Sequence, residues 1–564
     1  MRICRNSVSL VAGAVAIGAA ATWAGLQTKE DPMMEGLNGW KVEANYTISE
    51  SIKGYVMPGV PDGMGALKLN RNTVRVLVNH ELNRNVGYVY ELANGTKLTG
   101  ARVSYIDLDN KNRKIRGAGP AYDTIYDRAG KEVTSAGQIN ESEASLEGLD
   151  RLCSAVSVAK GTYGFVDDIF FTGEETSWDP DSPSHPHGGT EWALDVAEGV
   201  LWAVPAMGRG AWENVTPIDT GDKSTVGLLL GDDVEAAPLY LYIGKKNAVG
   251  DNSFLDRNGL KVGKLYAWKA DEDSSGSTPD DPSDFNGESS ALDGTFVEVE
   301  VIDTDEAGEF GYDGVGYLND DTLRARATDG VVRTSDGNGS DVFKVKGGGL
   351  GCFKFSRPED LSTNPEDGTE VIFASTGRSA LFGGADSWGT TYLIELSLGS
   401  KMTAKLTILH DADDRTVPDN WIRSPDNLVW AQDGYAYIQE DRSVSGFGAV
   451  SGAEASVWKL DPSQAGKDPV RIGEIDRSAV APSGSSDSGA GDLGNWESSG
   501  VLDVTHLFWT SKGETLLIAN VQAHGIRDGV IADEGLVQGG QIIFLSNRTS
   551  EGNAFGKNKA NKKK

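Results

Sequence analysis

Val226-Gly227-Leu228-Leu229-Leu230-Gly231-Asp232-Asp233, then Tyr240-Leu241-Tyr242-Ile243-Gly244, then Lys264-Leu265-Tyr266-Ala267-Trp268-Lys269 are short apolar or alternating runs, each followed closely by Gly, Asp or Asn. Runs of this length and composition read as β-strands. The pattern continues on both sides, at Thr73–Asn79, Asp168–Thr172, Gly199–Val204, Val297–Ile302, Glu370–Ala374, Thr391–Leu396, Ala436–Gln439, Val457–Leu460, Thr515–Asn520 and Gln541–Leu545. With 71 glycines for turns and no long stretch of helical periodicity, the chain is all-β, and sandwich, barrel and propeller are the candidates. The number of strands favours a β-propeller, which adds blades without enlarging any one core. For the same reason the length of 564 residues does not count domains.

The balance of 52 basic against 83 acidic residues gives a net charge of −31, which repels nucleic acid and anionic membranes. It suits a solvated surface or a set of hard-cation sites, since calcium takes clustered oxygens. Arg2 and Arg5, the apolar run Val8–Ala21 and the small residues near Thr22 and Ala24 have the layout of a cleaved secretory signal, read as residues 1–24. The run is shorter than the roughly 18–20 apolar residues that span a bilayer, and no later run is long enough. Export to the periplasm or the medium is the expectation, with no membrane span after signal removal.

Residues 25–550 read as a single domain with loop insertions near 271–290 and 481–495, and 551–564 as a basic disordered tail. Cys4 lies in the signal. Cys153 and Cys352 remain, able to form one disulfide or to stay separate thiols.

Catalytic sites gather polar groups from several strand ends, which directs attention to acidic clusters beside glycine turns. They occur as Pro61-Asp62-Gly63-Met64-Gly65-Ala66, Val78-Asn79-His80-Glu81, Arg151-Leu152-Cys153-Ser154, Phe171-Thr172-Gly173-Glu174-Glu175-Thr176 and Gly208-Arg209-Gly210-Ala211-Trp212-Glu213. Further along come Leu230-Gly231-Asp232-Asp233, Ser356-Arg357-Pro358-Glu359-Asp360-Leu361, Ser424-Pro425-Asp426-Asn427-Leu428, Glu440-Asp441, Trp496-Glu497-Ser498-Ser499-Gly500 and Asn520-Val521-Gln522-Ala523-His524-Gly525. This ordered series resembles the PhoX alkaline phosphatases from about Pro61 to His524.

The resemblance implies a six-bladed propeller that hydrolyses phosphate monoesters with an iron and calcium (Fe3+, Ca2+) cluster; the chain is expected to work as a monomer. Residue by residue it implies Cys153, Glu213 and Glu359 as iron ligands, a soft thiolate with hard carboxylates suiting ferric iron. Glu174, Glu175, Asp232, Asp233, Asp426, Asn427, Glu440, Asp441 and Glu497 match the calcium side. Strand alternation sends the two members of each acidic pair opposite ways, so one of each pair is expected to face the ions. Asp62, His80 and Glu81 stand as support from behind, or as a loop cap and a core histidine. Arg357 matches a phosphate-gripping arginine, its planar fork able to hold two oxygens. The metals would polarise the phosphoryl oxygens and supply the nucleophile.

Two other readings fit the fold: a calcium-dependent propeller lactonase, and a secreted calcium-binding propeller without phosphatase activity. Cys153 and the Arg-Pro-Glu segment argue against the lactonase. Walker, nucleophile-elbow and zinc-helix motifs are absent from the sequence. The Ser184-His185-Pro186-His187 stretch reads as a solvated loop.

Overall fold

The computed structural model describes residues 26–139, 146–176, 188–303, 316–334, 341–415, 420–444 and 446–547. The expected signal, the basic tail and the His185/His187 loop lie outside them. Every run read as a strand falls within or overlaps one.

Six further strands form the centre: Pro61–Asn70, Leu152–Val158, Trp212–Ile218, Pro358–Thr363, Pro425–Trp430 and Glu497–Asp503. Each packs against the next and the last packs against the first, closing a ring. From each inner strand an antiparallel meander runs outward, as in Pro61–Asn70, Thr73–His80, Arg102–Asp109 and Ile115–Pro120. The architecture is a β-propeller. Two neighbouring units, headed by Trp212–Ile218 and Pro358–Thr363, are fused into one nine-stranded sheet by Ala291–Val299, which bridges Gly263–Ala270 and Met402–Asp411.

The last unit takes its outermost strand from the other end of the chain. Lys41–Thr47 pairs with Gly539–Ser546, placing Thr47 opposite Gln541. Tyr46, Ile542, Ile543 and Leu545 are buried at this closure. Gln541 strengthens it by accepting from Met33 N at 2.8 Å and donating to Thr47 Oγ1 at 3.0 Å.

Blades meet face to face at close range, which explains the glycines that precede two of the acidic pairs. A Cβ on Gly173 would collide with the carbonyl of Trp212, and one on Gly231 with the carbonyl of Glu359.

The segments 271–290 and 481–495 carry neither helix nor strand. One insertion escaped the sequence reading. Between Val299 and Pro358 lie a helix, Asp320–Ala327, capped by Asn319 Oδ1 accepting from Thr322 N at 2.8 Å, and a hairpin of Val331–Thr334 with Asp341–Lys344. The helix spans only two turns and is polar, too short for periodicity to mark it. Cys153 and Cys352 are both buried free thiols, so the disulfide alternative does not form.

Removing residues 26–47 should leave Gly539–Ser546 as a bare apolar edge. We expect a lower midpoint of thermal unfolding by circular dichroism and concentration-dependent aggregation, because an unpaired edge strand recruits other chains.

Candidate metal centre

Every inner strand carries a one-residue β-bulge, seen as three residues of the inner strand opposite two of its partner, for example Pro61 to Met64 against His80 to Val78. The same shift follows Leu152, Trp212, Pro358 and Pro425, and in the last unit it follows Ser499. A bulge re-aims side chains. In five units the residue at its start is Asp62, Cys153, Glu213, Glu359 or Asp426, and all five are buried.

Their ligand-type atoms come together with Glu81 and Glu175, each the residue immediately after a second strand. Asp62, Glu81 and Cys153 form one group, Cys153, Glu175 and Glu213 a second, and Glu213, Glu359 and Asp426 a third, the atoms within each lying within 4.8 Å of one another. Shared Cys153 and Glu213 join the three into one continuous cluster. Asp233 stands at its margin beside Glu175 and Glu359. Asp441 stands close enough to raise the carboxyl of Asp426, and Asp441, Asp62 and Asp426 close enough to raise that of Glu497.

The members of the acidic pairs separate as strand alternation requires. Glu81, Glu175, Asp233 and Asp441 point inward, while the preceding residues turn back to clasp the chain before an inner strand. Glu174 accepts from Asp150 N at 3.0 Å and from Trp192 Nε1 at 3.3 Å. Asp232 accepts from Ala211 N at 2.9 Å and faces Arg324 of the inserted helix at 3.3 Å. Glu440 accepts from Arg423 N at 2.8 Å and forms a fully buried ion pair with the Arg423 guanidinium at 3.0 Å, which lies over the Phe447 ring. His80 does the same work as a neutral group, bonded to Gly59 O at 3.0 Å and Ser104 Oγ at 2.7 Å, and burial holds its pKa down at about 3.

These clasps close over residues in a left-handed backbone, Val60 at φ 52°, Arg151 at φ 44° and Ser424 at φ 43°, each immediately before an inner strand. Such geometry costs about 1–3 kcal/mol at a non-glycine residue and persists only where its surroundings enforce it. Asn427 serves the ring itself: its Oδ1 accepts from Gly500 N at 2.6 Å, as Asp360 Oδ2 accepts from Leu428 N at 2.9 Å one unit earlier. Ser499 Oγ donates to Pro61 O at 3.0 Å and continues this belt.

The cluster holds more acid groups than the chain's own cations compensate. Both carboxylate oxygens of Glu213 and one each of Asp62, Asp233 and Asp426 are buried without a hydrogen-bond partner. Burial, reinforced by neighbouring carboxylates, pushes the carboxyls of Asp62, Glu213, Glu359, Asp426 and Glu497 well above their usual range. Burial and the nearby acids likewise push the Cys153 thiol up, and it hydrogen-bonds to Asp62 Oδ2 at 3.1 Å. Asp233 is the exception: burial raises it, but the Arg357 guanidinium, with Glu359 and Glu175 beside it, holds it below the usual range. Orphaned buried oxygens around a thiol fit bound cations, which would satisfy them and draw off the protons.

Two arginines reach the cluster. Arg357 pairs with Asp233 and with Glu359, at 3.2 Å to the latter, and lines a cavity of about 430 Å³ with Glu235, Arg324, Thr328 and Arg378. Arg151 pairs with Glu81 at 2.8 Å and with Glu175, and lines a second cavity of about 350 Å³ with His524 and Arg527. His524 Nε2 lies 3.2 Å from Glu497 Oε2, and Nδ1 lies 2.6 Å from Gln538 Oε1. Arg209 is buried and donates to Gly188 O at 2.8 Å.

Sequence reading left Asp62 and Glu81 as supporting residues and gave Gln522 no role. Asp62 was findable, because Pro61-Asp62, Pro358-Glu359 and Pro425-Asp426 repeat one proline-acid start. Gln522 Nε2, which donates to Asp62 Oδ2 at 3.0 Å, carries no such signal.

Glu440→Ala should destabilise the protein by about 3–5 kcal/mol in chemical denaturation, because it strands a buried guanidinium. With metals removed, stability should fall as pH rises above the ordinary carboxylate range. The folded state holds protons on the cluster acids more tightly than the unfolded state does, so the slope of unfolding free energy against pH is negative there. Denaturation midpoints across pH, with and without chelator, check this.

Comparison with known proteins agrees with this geometry. The family model "Alkaline phosphatase PhoX" matches residues 200–486. No curated protein matches the chain. Among solved structures, Pseudomonas fluorescens PhoX in complex with vanadate, a transition state analogue, superposes with TM-score 0.57 at 15% identity over 92% of this chain and 97% of that one. Chaetomium thermophilum Sqt1 bound to the N-terminus of ribosomal protein L10 follows at TM-score 0.28 and 11% identity, over 84% of this chain and 87% of that one, too low to carry any argument. The match over half the chain, on a propeller whose inner strands bring a thiol and carboxylates together, makes this protein a member of the PhoX family of alkaline phosphatases, metal-dependent hydrolases of phosphoric monoesters.

Proposed function

We propose that this phosphatase works outside the cytoplasm and holds iron on Cys153, Glu213 and Glu359, with calcium on the oxygens around them. Glu175, Asp233, Asp426, Asp441 and Glu497 are the calcium candidates, joined by Asp62 and Glu81. Glu174, Asp232, Glu440 and Asn427 hold the backbone that presents these residues. The observation that carries the reading is the continuous cluster built on Cys153 and Glu213, with its unpaired buried carboxylate oxygens. A soft thiolate beside hard carboxylates suits a transition metal, and numerous surrounding oxygens suit calcium better than magnesium, which keeps its waters.

When bound, the cations would polarise the phosphoryl group and activate the attacking oxygen. The chain's own part is positioning. Arg357, partly exposed at the cavity floor and already paired with two cluster carboxylates, offers its fork to phosphoryl oxygens. The alcohol portion of the ester then lies toward the 430 Å³ cavity, whose mixed Arg and Glu lining selects no single leaving group. That the Pseudomonas fluorescens protein is solved in complex with vanadate, a transition state analogue, supports a phosphoryl site in this fold.

Elemental analysis of the purified protein, with Cys153→Ser beside it, tests the reading. We expect iron and calcium in the wild type, loss of iron and of nearly all hydrolysis of a chromogenic phosphate monoester in the variant, and rescue of chelated enzyme by calcium but not by magnesium. Iron retained by Cys153→Ser, or equal rescue by magnesium, would overturn the corresponding assignment.

A further inference from the structure

We infer that Arg151 is a second phosphoryl-gripping residue, the counterpart of Arg357 on the other side of one carboxylate pair; the inference rests on the phosphate role proposed for Arg357. The two arginines occupy the same place in their units. Arg151 immediately precedes the inner strand Leu152–Val158 and stands two residues before Cys153, and Arg357 immediately precedes Pro358–Thr363 and stands two residues before Glu359. Each inner strand then makes the same bulge against its partner.

Their side chains meet the cluster in the same manner. Arg151 ties Glu81 to Glu175, and Arg357 ties Asp233 to Glu359. Glu175 and Asp233 stand beside each other, so the order across the site is Arg151, Glu175, Asp233, Arg357. Each guanidinium also reaches a cavity, of about 350 Å³ for Arg151 and about 430 Å³ for Arg357. Arg151 is the more open of the two, its side chain 40% exposed against 18% for Arg357.

Arg151 shares its left-handed backbone with Val60 and Ser424 at the corresponding places, and the Glu174 clasp on Asp150 N holds it. A cation seated on Glu175 and Asp233 competes with both guanidinia for the same oxygens. Their N–H groups then face an anionic ligand from two sides, and a phosphate monoester dianion has oxygens enough for both forks.

The test compares wild type, Arg151→Lys, Arg151→Gln and Arg357→Lys, with inorganic phosphate as the probe. Competitive inhibition by phosphate, kcat and KM on a chromogenic monoester, and metal content by elemental analysis are measured on each. Lysine keeps the charge and loses the fork, so Arg151→Lys should hold wild-type metal content while its inhibition constant for phosphate rises by about 10-fold or more. Arg151→Gln should weaken phosphate further. A phosphate constant within about 2-fold of wild type in Arg151→Lys, with Arg357→Lys impaired, would overturn the inference and leave the Arg357 reading standing. Unchanged constants in both lysine variants would overturn both. Metal lost from Arg151→Lys would assign the residue to holding Glu81 and Glu175.

Discussion

Buried negative charge is the constraint on which the rest of this structure depends. Asp62, Glu175, Glu213, Glu359 and Asp426 crowd with a thiol into one end of the ring, and two arginines do not offset them. Taking a single carboxylate out of water is costly, and like charges in contact add to that cost. The chain meets it by keeping protons where no cation sits, and it builds the surrounding scaffold so that these groups cannot retreat into solvent. The clasps, the strained residues before the inner strands and the belt of side-chain hydrogen bonds around the ring all serve to keep repelling groups in place.

This division of labour accounts for what the sequence reveals. Middle and outer strands such as Tyr240–Lys245 and Leu516–Ala523 are apolar on the faces they bury between blades, so hydrophobic alternation exposes them. None of the six inner strands announces itself that way. Pro61-Asp62-Gly63, Leu152-Cys153-Ser154 and Pro425-Asp426-Asn427 begin with turn-like and polar residues because one bulge residue addresses the cluster and the next the neighbouring blade. They are legible as chemistry and illegible as strands, and every inner strand opens in one of the segments that carried the family resemblance.

What stayed hidden had a physical reason in each case. Which acid of a pair faces inward depends on the pleat of a strand whose end no composition marks, so Glu174 and Glu175 look equivalent in the chain while one holds a backbone amide and the other the cluster. Arg151 looks like any arginine before a strand until the ring superposes its place on that of Arg357. The inserted helix Asp320–Ala327 is invisible to periodicity, yet through Arg324 it presses on Asp232 and walls the cavity over Arg357. Variation in that insertion alters the approach to the site without touching the ring.

The pairing of Lys41–Thr47 with Gly539–Ser546 has a kinetic meaning. Thr47 and Gln541 are among the most distant contacts in sequence that the molecule makes, so the ring cannot latch until nearly the whole chain has emerged. Folding that waits on such long-range contacts is slow, and open blades show apolar edges meanwhile. The strand made first is therefore the one that waits longest for its partner. The time to closure, more than the strength of any single blade, then sets how long those edges stay open.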